Sequence, residues 1–305
     1  MSGGGRVLAQ AKLNLFLRVL QREASGYHQI ETLFCRLDLG DVVTVHATDG
    51  ARALTLSGPA LPATGLGPPE QNLAWRAADA FALRAGWPRG FTIDIEKHIP
   101  IDGGLGGGSA DAGAVLRVLN VLCPVPLPGS ALLSVAESLG ADVPFLTSEE
   151  PLALAWGRGE QLSPFPALPP RDVSLVCFDE GVPTADAYRW LDESRGAVRT
   201  GFHRSGAIPV KIVSWDQVAS LARNDFESVV LSRYPRIKQH LAASRAPIFR
   251  ARFGERTIAL LSGTGATVFI IPEKTTDAVL IATEAGEHVL HTRTAMRVAA
   301  VERVD

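Results

Sequence analysis

Pro100-Ile-Asp-Gly-Gly-Leu-Gly-Gly-Gly-Ser-Ala-Asp111 puts glycine at five of the six positions from Gly103 to Gly108 and runs straight into a helical pattern. Backbone without Cβ atoms reaches positive φ and can come very close to a ligand. Several N–H groups then converge on one concavity, and the N-terminus of the next helix adds partial positive charge. That assembly suits phosphate. Ala114, Val115, Val118, Leu119 and Leu122 recur at helical spacing, with Ser109 or Asp111 available as N-cap, so a helix is expected over about 109–122.

Two familiar phosphate loops are excluded. A Walker A loop would end in Gly-Lys-Ser/Thr, but the first lysine after the glycines is Lys211. A dinucleotide fingerprint counted from Gly104 would end on Ser109, and the stretch about 20 residues on offers Gly129, Ser130 and Ala131 instead of an acid.

Working outward, Val7, Ala9, Ala11, Leu13, Leu15, Leu17 and Val19 alternate with Gln10, Lys12, Asn14 and Arg18, which reads as a strand with one polar face. Residues 29–47 read as further strands, and 55–57 as a short one. A helix is expected over about 71–86, then a strand over 91–95 feeding the glycine loop, and another helix over about 129–140. Pro164, Pro166, Pro169 and Pro170 crowd one span, so a domain boundary is placed there, giving domains 1–162 and 163–305. The second half reads as strand 173–178, helices near 184–194 and 216–231, strands 257–261 and 267–271, a helix near 274–285 and a terminal strand. Ser262-Gly-Thr-Gly265 forms a second glycine turn. The expected fold class is α+β, a two-layer α/β arrangement in two domains, with both glycine turns facing one cleft.

The 305 residues are 46% hydrophobic, enough for real cores, and carry a net charge of −2. No global basic field draws the chain to nucleic acid or anionic membrane. No apolar run approaches the length of a spanning helix, and the N-terminus lacks a signal-peptide pattern, so a cytoplasmic protein is expected. Cys35, Cys123 and Cys177 lack C-x-x-C spacing and suggest neither a disulfide framework nor a zinc site. Only five of the 30 basic residues are lysine, which draws attention to a lysine inside the apolar first strand.

Residues 100–110 resemble the phosphate-binding motif of the GHMP kinases, Pro-x-x-x-Gly-Leu-Gly followed by small residues. Within that family the wider pattern is similar to the branch that acts on a CDP-linked methylerythritol in non-mevalonate isoprenoid synthesis. Ala11-Lys-Leu-Asn-Leu-Phe-Leu17, Gly26-Tyr27-His28, Leu39-Gly-Asp41, Gln71-Asn-Leu73, Gly140-Ala-Asp-Val-Pro144, Asn224-Asp-Phe-Glu227 and Leu261-Ser-Gly-Thr-Gly-Ala-Thr267 carry the likeness, over about 8–271. It implies a two-domain fold with the active site in the interdomain cleft. It also implies transfer of the ATP γ-phosphoryl to the 2-hydroxyl of that substrate, with Mg²⁺ whose protein ligands stay unassigned.

By the same resemblance Asp142 is the catalytic base and Lys12 its companion, where the residues alone would equally allow a turn aspartate and an exposed strand lysine. Pro100, Ile101, Asp102, Gly103, Gly104, Leu105, Gly106, Gly107, Gly108, Ser109 and Ala110 form the ATP loop, with Lys97 and Asn72 near the adenine or else simply at the surface. Asn14, on the face of Lys12, and Thr184 contact substrate. Tyr27 and Tyr188 sandwich the cytosine, and His28 bonds its polar edge. Ser25, Ala110 and Pro183 depart from the family pattern, and the tail beyond about 285 matches weakly; Gly107 and Gly108 stand where several other GHMP kinases carry serines. Two competing readings remain: a GHMP kinase for another small alcohol, and a non-catalytic nucleotide sensor on the same fold.

Overall fold

In a computed structural model, which describes residues 3–196, 211–274 and 283–304, the opening alternation becomes two long paired strands, β1 (Gly4–Arg22) and β2 (His28–Thr48). The polar face of β1 is not wet: Gln10, Lys12 and Asn14 are each 3% exposed. Residues 29–47 form one strand, not several, because β2 serves two neighbours. Its Val42–Thr48 half pairs with β4 (Gly90–Glu96), and its Ile30–Cys35 half pairs with β5 (Leu152–Gly157). β3 (Arg52–Ser57) runs parallel to β4 at the edge.

Helices α1 (Leu73–Ala85), α2 (Gly107–Leu122), α3 (Gly129–Glu137) and α4 (Val143–Thr147) accompany this sheet. Asn72 accepts a hydrogen bond from the Ala74 amide to start α1, and Gly86 at φ 69° ends it in the left-handed conformation. Every residue of α2 from Ala110 to Leu119 is buried. A Cβ on Gly113 would lie 2.6 Å from the Leu146 carbonyl oxygen, so only glycine lets α2 and α4 approach this closely.

The boundary expected between 162 and 163 falls inside β6 (Gln161–Phe165), which pairs with β5 in the first sheet. The second sheet has the order β10-β7-β9-β8, built from β7 (Asp172–Phe178), β8 (Ile258–Leu261), β9 (Val268–Ile271) and β10 (Glu287–Arg293). Helices α5 (Thr184–Arg195), α6 (Trp215–Leu221), α7 (Glu227–Val230), α8 (Pro235–Arg245) and α9 (Pro247–Phe253) belong to this half. The tail strand β11 (Glu302–Val304) returns to pair with β1. Val173, Leu175, Phe269 and Ile271 of the second sheet join the core formed by β1, β2 and α2, so the two sheets share apolar interior.

The helix expected over 216–231 is interrupted. Between α6 and α7 the chain pairs with β1 instead: Leu17 N–H donates to Arg223 O at 2.8 Å, and Asp225 N–H to Leu17 O at 3.0 Å. Tertiary backbone pairing replaces helical bonds that local spacing favoured. α8 and α9, which periodicity missed, each begin with proline in the first turn, a recognised start signal. Of the helix expected near 274–285, residues 275–282 lie outside the described set.

A buried ionic cluster fixes the entry to the glycine loop. One Asp41 oxygen accepts the His98 and Ile99 amides at 2.6 and 2.8 Å, and the other takes the Lys97 ammonium in a short ion pair. Lys97 also binds Asp111 Oδ2 at 2.6 Å, while Asp111 Oδ1 is buried with no partner. All three side chains are at most 4% exposed. Burial, and after it the neighbouring Asp41 charge, push the Asp111 carboxyl up to about 8, against the opposing pull of Lys97.

Removing the one cation would strand the buried Asp41 carboxylate, so Lys97→Met should lower unfolding free energy by about 3–5 kcal/mol in urea denaturation. Because the folded chain keeps a proton on Asp111 that the unfolded chain gives up above pH 3.8, this group erodes stability as pH rises from about 4 toward 8. Asp111→Asn should therefore flatten the stability profile across that window; an unchanged slope would remove Asp111 from the titration.

Candidate active site

The helix after the glycine loop starts earlier than expected. Gly106, at φ 75°, is its N-cap and α2 begins at Gly107, so Ser109 and Asp111 lie inside the helix and cap nothing. The first-turn amides, which have no intrahelical partners, consequently emerge within the glycine run. Gly108 has nothing within 4 Å of the place a Cβ would occupy, whereas Leu105 and Ala110 turn into the core at 1% and 2% exposure. Asp102 holds φ 56°, a left-handed conformation that a short polar residue tolerates. Pro100 and Ile101 lead into that turn.

The second glycine turn, 262–265, touches the first. A Cβ on Gly104 would sit 2.1 Å from the Ser262 carbonyl oxygen, and Gly104 is itself left-handed at φ 71°. Its carbonyl oxygen accepts from Ser262 Oγ at 2.9 Å and from Lys12 Nζ at 3.0 Å. Asn224, in the stretch that interrupts the expected helix, donates its amide to Leu261 O at 2.8 Å and Gly263 O at 2.7 Å. A scarce asparagine inside a helical pattern was the available sequence signal for this anchor.

Lys12 is aimed by irregular pairing on either side, since the β1–β2 register shifts between Gln10 and Lys12 and again between Asn14 and Phe16. It is no exposed strand lysine. Its ammonium donates to Asn14 Oδ1 at 2.8 Å and lies 3.2 Å from Asp142 Oδ2. Asn14 is oriented in turn by Thr32, whose Oγ1 accepts the Asn14 amide at 2.8 Å. Asp142 stands at the N-cap position of α4, yet its side chain makes no capping bond and pairs with Lys12 instead. With 27% of that side chain exposed, the carboxylate is reachable from solvent while the lysine beneath it is not.

A polar-edged aromatic cluster lies beside this pair. His28 and Tyr188 stack with centroids 4.6 Å apart, and Phe226 meets Tyr188 edge-on at 4.9 Å. The His28 Nε2 atom is 2.7 Å from Asp192 Oδ1, a partner with no signal in the sequence. Burial first, and then the nearby Asp142 charge, push the Tyr188 phenol up to about 12. Tyr27, on the β1–β2 turn, is 60% exposed, with the Arg158 guanidinium 4.2 Å from its ring centre. Glu23 holds that guanidinium at 2.6 Å. Thus Tyr27 and Tyr188 do not frame an empty slot: each already has a neighbour, Arg158 on one ring and His28 on the other. Thr184, the first residue of α5, reaches Thr264 of the second glycine turn at 3.2 Å.

Two expected ATP contacts are placed differently. Lys97 is 1% exposed and held by two carboxylates beneath the loop, so it supports the loop and is not at the surface. Asn72 spends its oxygen on capping α1. Among the described residues no group of three or more His, Cys, Asp or Glu side chains is arranged to hold a metal, and no helix is long and apolar enough to cross a membrane.

Comparison with known proteins bears on the family and the fold. The family described as GHMP kinases N terminal domain matches residues 72–150, which span the glycine loop and Asp142. Over 265 residues the chain is 40% identical to the 4-diphosphocytidyl-2-C-methyl-D-erythritol kinase of Anaeromyxobacter dehalogenans, covering 86% of this chain and 79% of the relative. The enzyme of the same description from Geobacter sulfurreducens is 38% identical over 275 residues, 89% of this chain and 91% of the relative. A crystal structure of 4-(cytidine 5'-diphospho)-2C-methyl-D-erythritol kinase superposes with a TM-score of 0.69 at 30% identity, covering 95% of this chain and 99% of that one. A mevalonate kinase structure at 12% identity, with a TM-score of 0.59, shares the fold. Identity at this level along most of both chains, over one mixed two-sheet fold, makes this chain a member of the 4-diphosphocytidyl-2-C-methyl-D-erythritol kinase family within the GHMP kinases.

Proposed function

We propose that the chain transfers the γ-phosphoryl group of ATP to the 2-hydroxyl of 4-(cytidine 5'-diphospho)-2-C-methyl-D-erythritol, releasing ADP and the 2-phosphate. The observation that carries the chemistry is the Lys12–Asp142 pair, 3.2 Å apart, joined through Lys12 to the Gly104 carbonyl of the glycine loop.

Phosphoryl transfer proceeds through a loose transition state, so the protein's part is positioning and charge stabilisation. The free amides at the start of α2 and the left-handed glycines before it bind the donor's phosphates. The acceptor oxygen attacks the γ-phosphorus while the bond to the bridging β,γ-oxygen breaks, leaving ADP. Asp142, whose side chain is partly open to solvent, takes the proton that the hydroxyl loses. Lys12 offsets negative charge on the moving phosphoryl group. Its lack of exposure keeps water from screening that charge. Asn14, itself buried, fixes the ammonium.

Tyr27, His28, Tyr188 and Thr184 form the acceptor side. The cytosine stacks on this cluster, and His28, steadied by Asp192, addresses the base's polar edge. An alcohol without a base, such as mevalonate or homoserine, would leave these rings unused. Magnesium brought in with ATP would neutralise phosphate charge; Gly107 and Gly108 carry no side-chain oxygen to hold it, so phosphate oxygens and water would be its main ligands.

Asp142→Asn should lower kcat by about 10²–10⁴-fold while ATP binding persists, measured as ADP release alongside nucleotide titration. Full activity in that variant would remove Asp142 as the base. Tyr27→Ala should raise KM for the cytidylyl substrate by roughly 5- to 100-fold, the loss of one base-stacking contact, and leave KM for ATP within about twofold. A selective rise in the ATP value would instead place the cytidine elsewhere.

A further inference from the structure

A second cavity, of about 720 Å³, lies among α5, the 222–226 stretch, α7, α8, α9 and β8. None of its lining residues belongs to the glycine loop, the Lys12–Asp142 pair or the aromatic cluster. Its volume is in the range of small-molecule sites. Among the described residues Arg195, Arg223, Arg245 and Arg250 line it, against the carboxylates Asp225 and Glu227, which leaves these a net charge of +2.

The pairing inside it is uneven. Asp225 is shared by Arg195 at 2.9 Å and Arg223 at 2.7 Å, and Glu227 is occupied by Arg245 at 2.9 Å. Arg250 has no side-chain partner among the described residues, and its Nε is buried without a hydrogen bond. A buried guanidinium nitrogen left unmade is costly, and a planar fork of donors is what phosphate oxygens complete. Among the described residues no aromatic ring lines the cavity, so they offer no platform for a nucleobase.

We propose that this cavity binds a small non-nucleotide phosphate or diphosphate, with Arg250 as the principal donor and Arg223 at its side. The site is wired to catalysis through the backbone. Arg195 is the last residue of α5, which carries Thr184 and Tyr188, and it donates to Val19 O on β1 at 2.6 Å. Asn224, in the cavity wall, holds Gly263 of the second glycine turn. An occupant therefore acts on the placement of both active-site halves.

The test is titration calorimetry of the full chain with inorganic diphosphate, glycerol phosphate and CMP, each with the ATP site saturated by a non-hydrolysable ATP analogue and the acceptor site saturated by 4-(cytidine 5'-diphospho)-2-C-methyl-D-erythritol. One equivalent of diphosphate should bind under this block, glycerol phosphate more weakly, and CMP no better than glycerol phosphate. Arg250→Gln and Arg223→Gln should each weaken diphosphate by about tenfold or more and leave affinity for the ATP analogue unchanged. Absence of diphosphate binding to the blocked wild-type chain, or equal binding by the Arg250 variant, overturns the proposal. Tighter binding of CMP than of diphosphate would overturn its non-nucleotide character.

Discussion

At Gly104 two backbones meet that are 158 residues apart in sequence, and a single carbonyl oxygen accepts both Ser262 Oγ and Lys12 Nζ. The remainder of the active site depends on that contact. A Cβ at this position would lie 2.1 Å from the Ser262 carbonyl oxygen, so the approach exists only for glycine, and only in a left-handed conformation that glycine adopts without strain. Through this one oxygen the phosphate loop, the second glycine turn and the strand bearing the lysine share a register. Asn224 secures the second turn from behind, and Thr184 links it to the helix that carries Tyr188.

The two buried lysines show how one residue type divides between tasks. Lys97 is saturated by Asp41 and Asp111 and has no accessible surface to offer a ligand, so its charge fixes the chain entering the loop. Lys12 has one carboxylate, one amide oxygen and one carbonyl, and its carboxylate partner is the group left open to solvent. A buried cation is costly unless paired, and the geometry of pairing determines which of the two is available for chemistry. Nothing in the local sequence around either lysine separates them.

Much of the fold was legible in patterns that are local in origin. The alternation of β1, the helix after the glycines and the strands flanking the second turn follow from period and from breakers close at hand. The failures have identifiable causes. The expected helix over 216–231 was broken because Leu17 offered better backbone partners to residues 223 and 225. The boundary inferred from prolines fell within β6 because an edge strand tolerates proline at a position whose amide is not needed. What covers the polar face of β1 could not be read locally, because the covering elements come from distant parts of the chain, among them the loop residues Gly104 and Gly106 and the tail at Ala299.

The sequence by itself determined which groups were present for the chemistry: a glycine run able to offer bare amides, a rare lysine in an apolar strand, an aspartate before Val143-Pro144 and an aromatic pair after Gly26. It determined these because glycine's freedom, side-chain charge and hydrophobic period are properties of single residues and near neighbours. Only the tertiary structure decided that Asp142 faces Lys12 instead of capping α4, that Lys97 lies under the loop instead of beside a base, and that Arg250 lines a second cavity with no side-chain partner among the described residues. Those outcomes depend on which partner, tens to hundreds of residues away, reaches a given polar group first when water is excluded. Pairing in a buried setting is a property of the packed chain and of no segment within it.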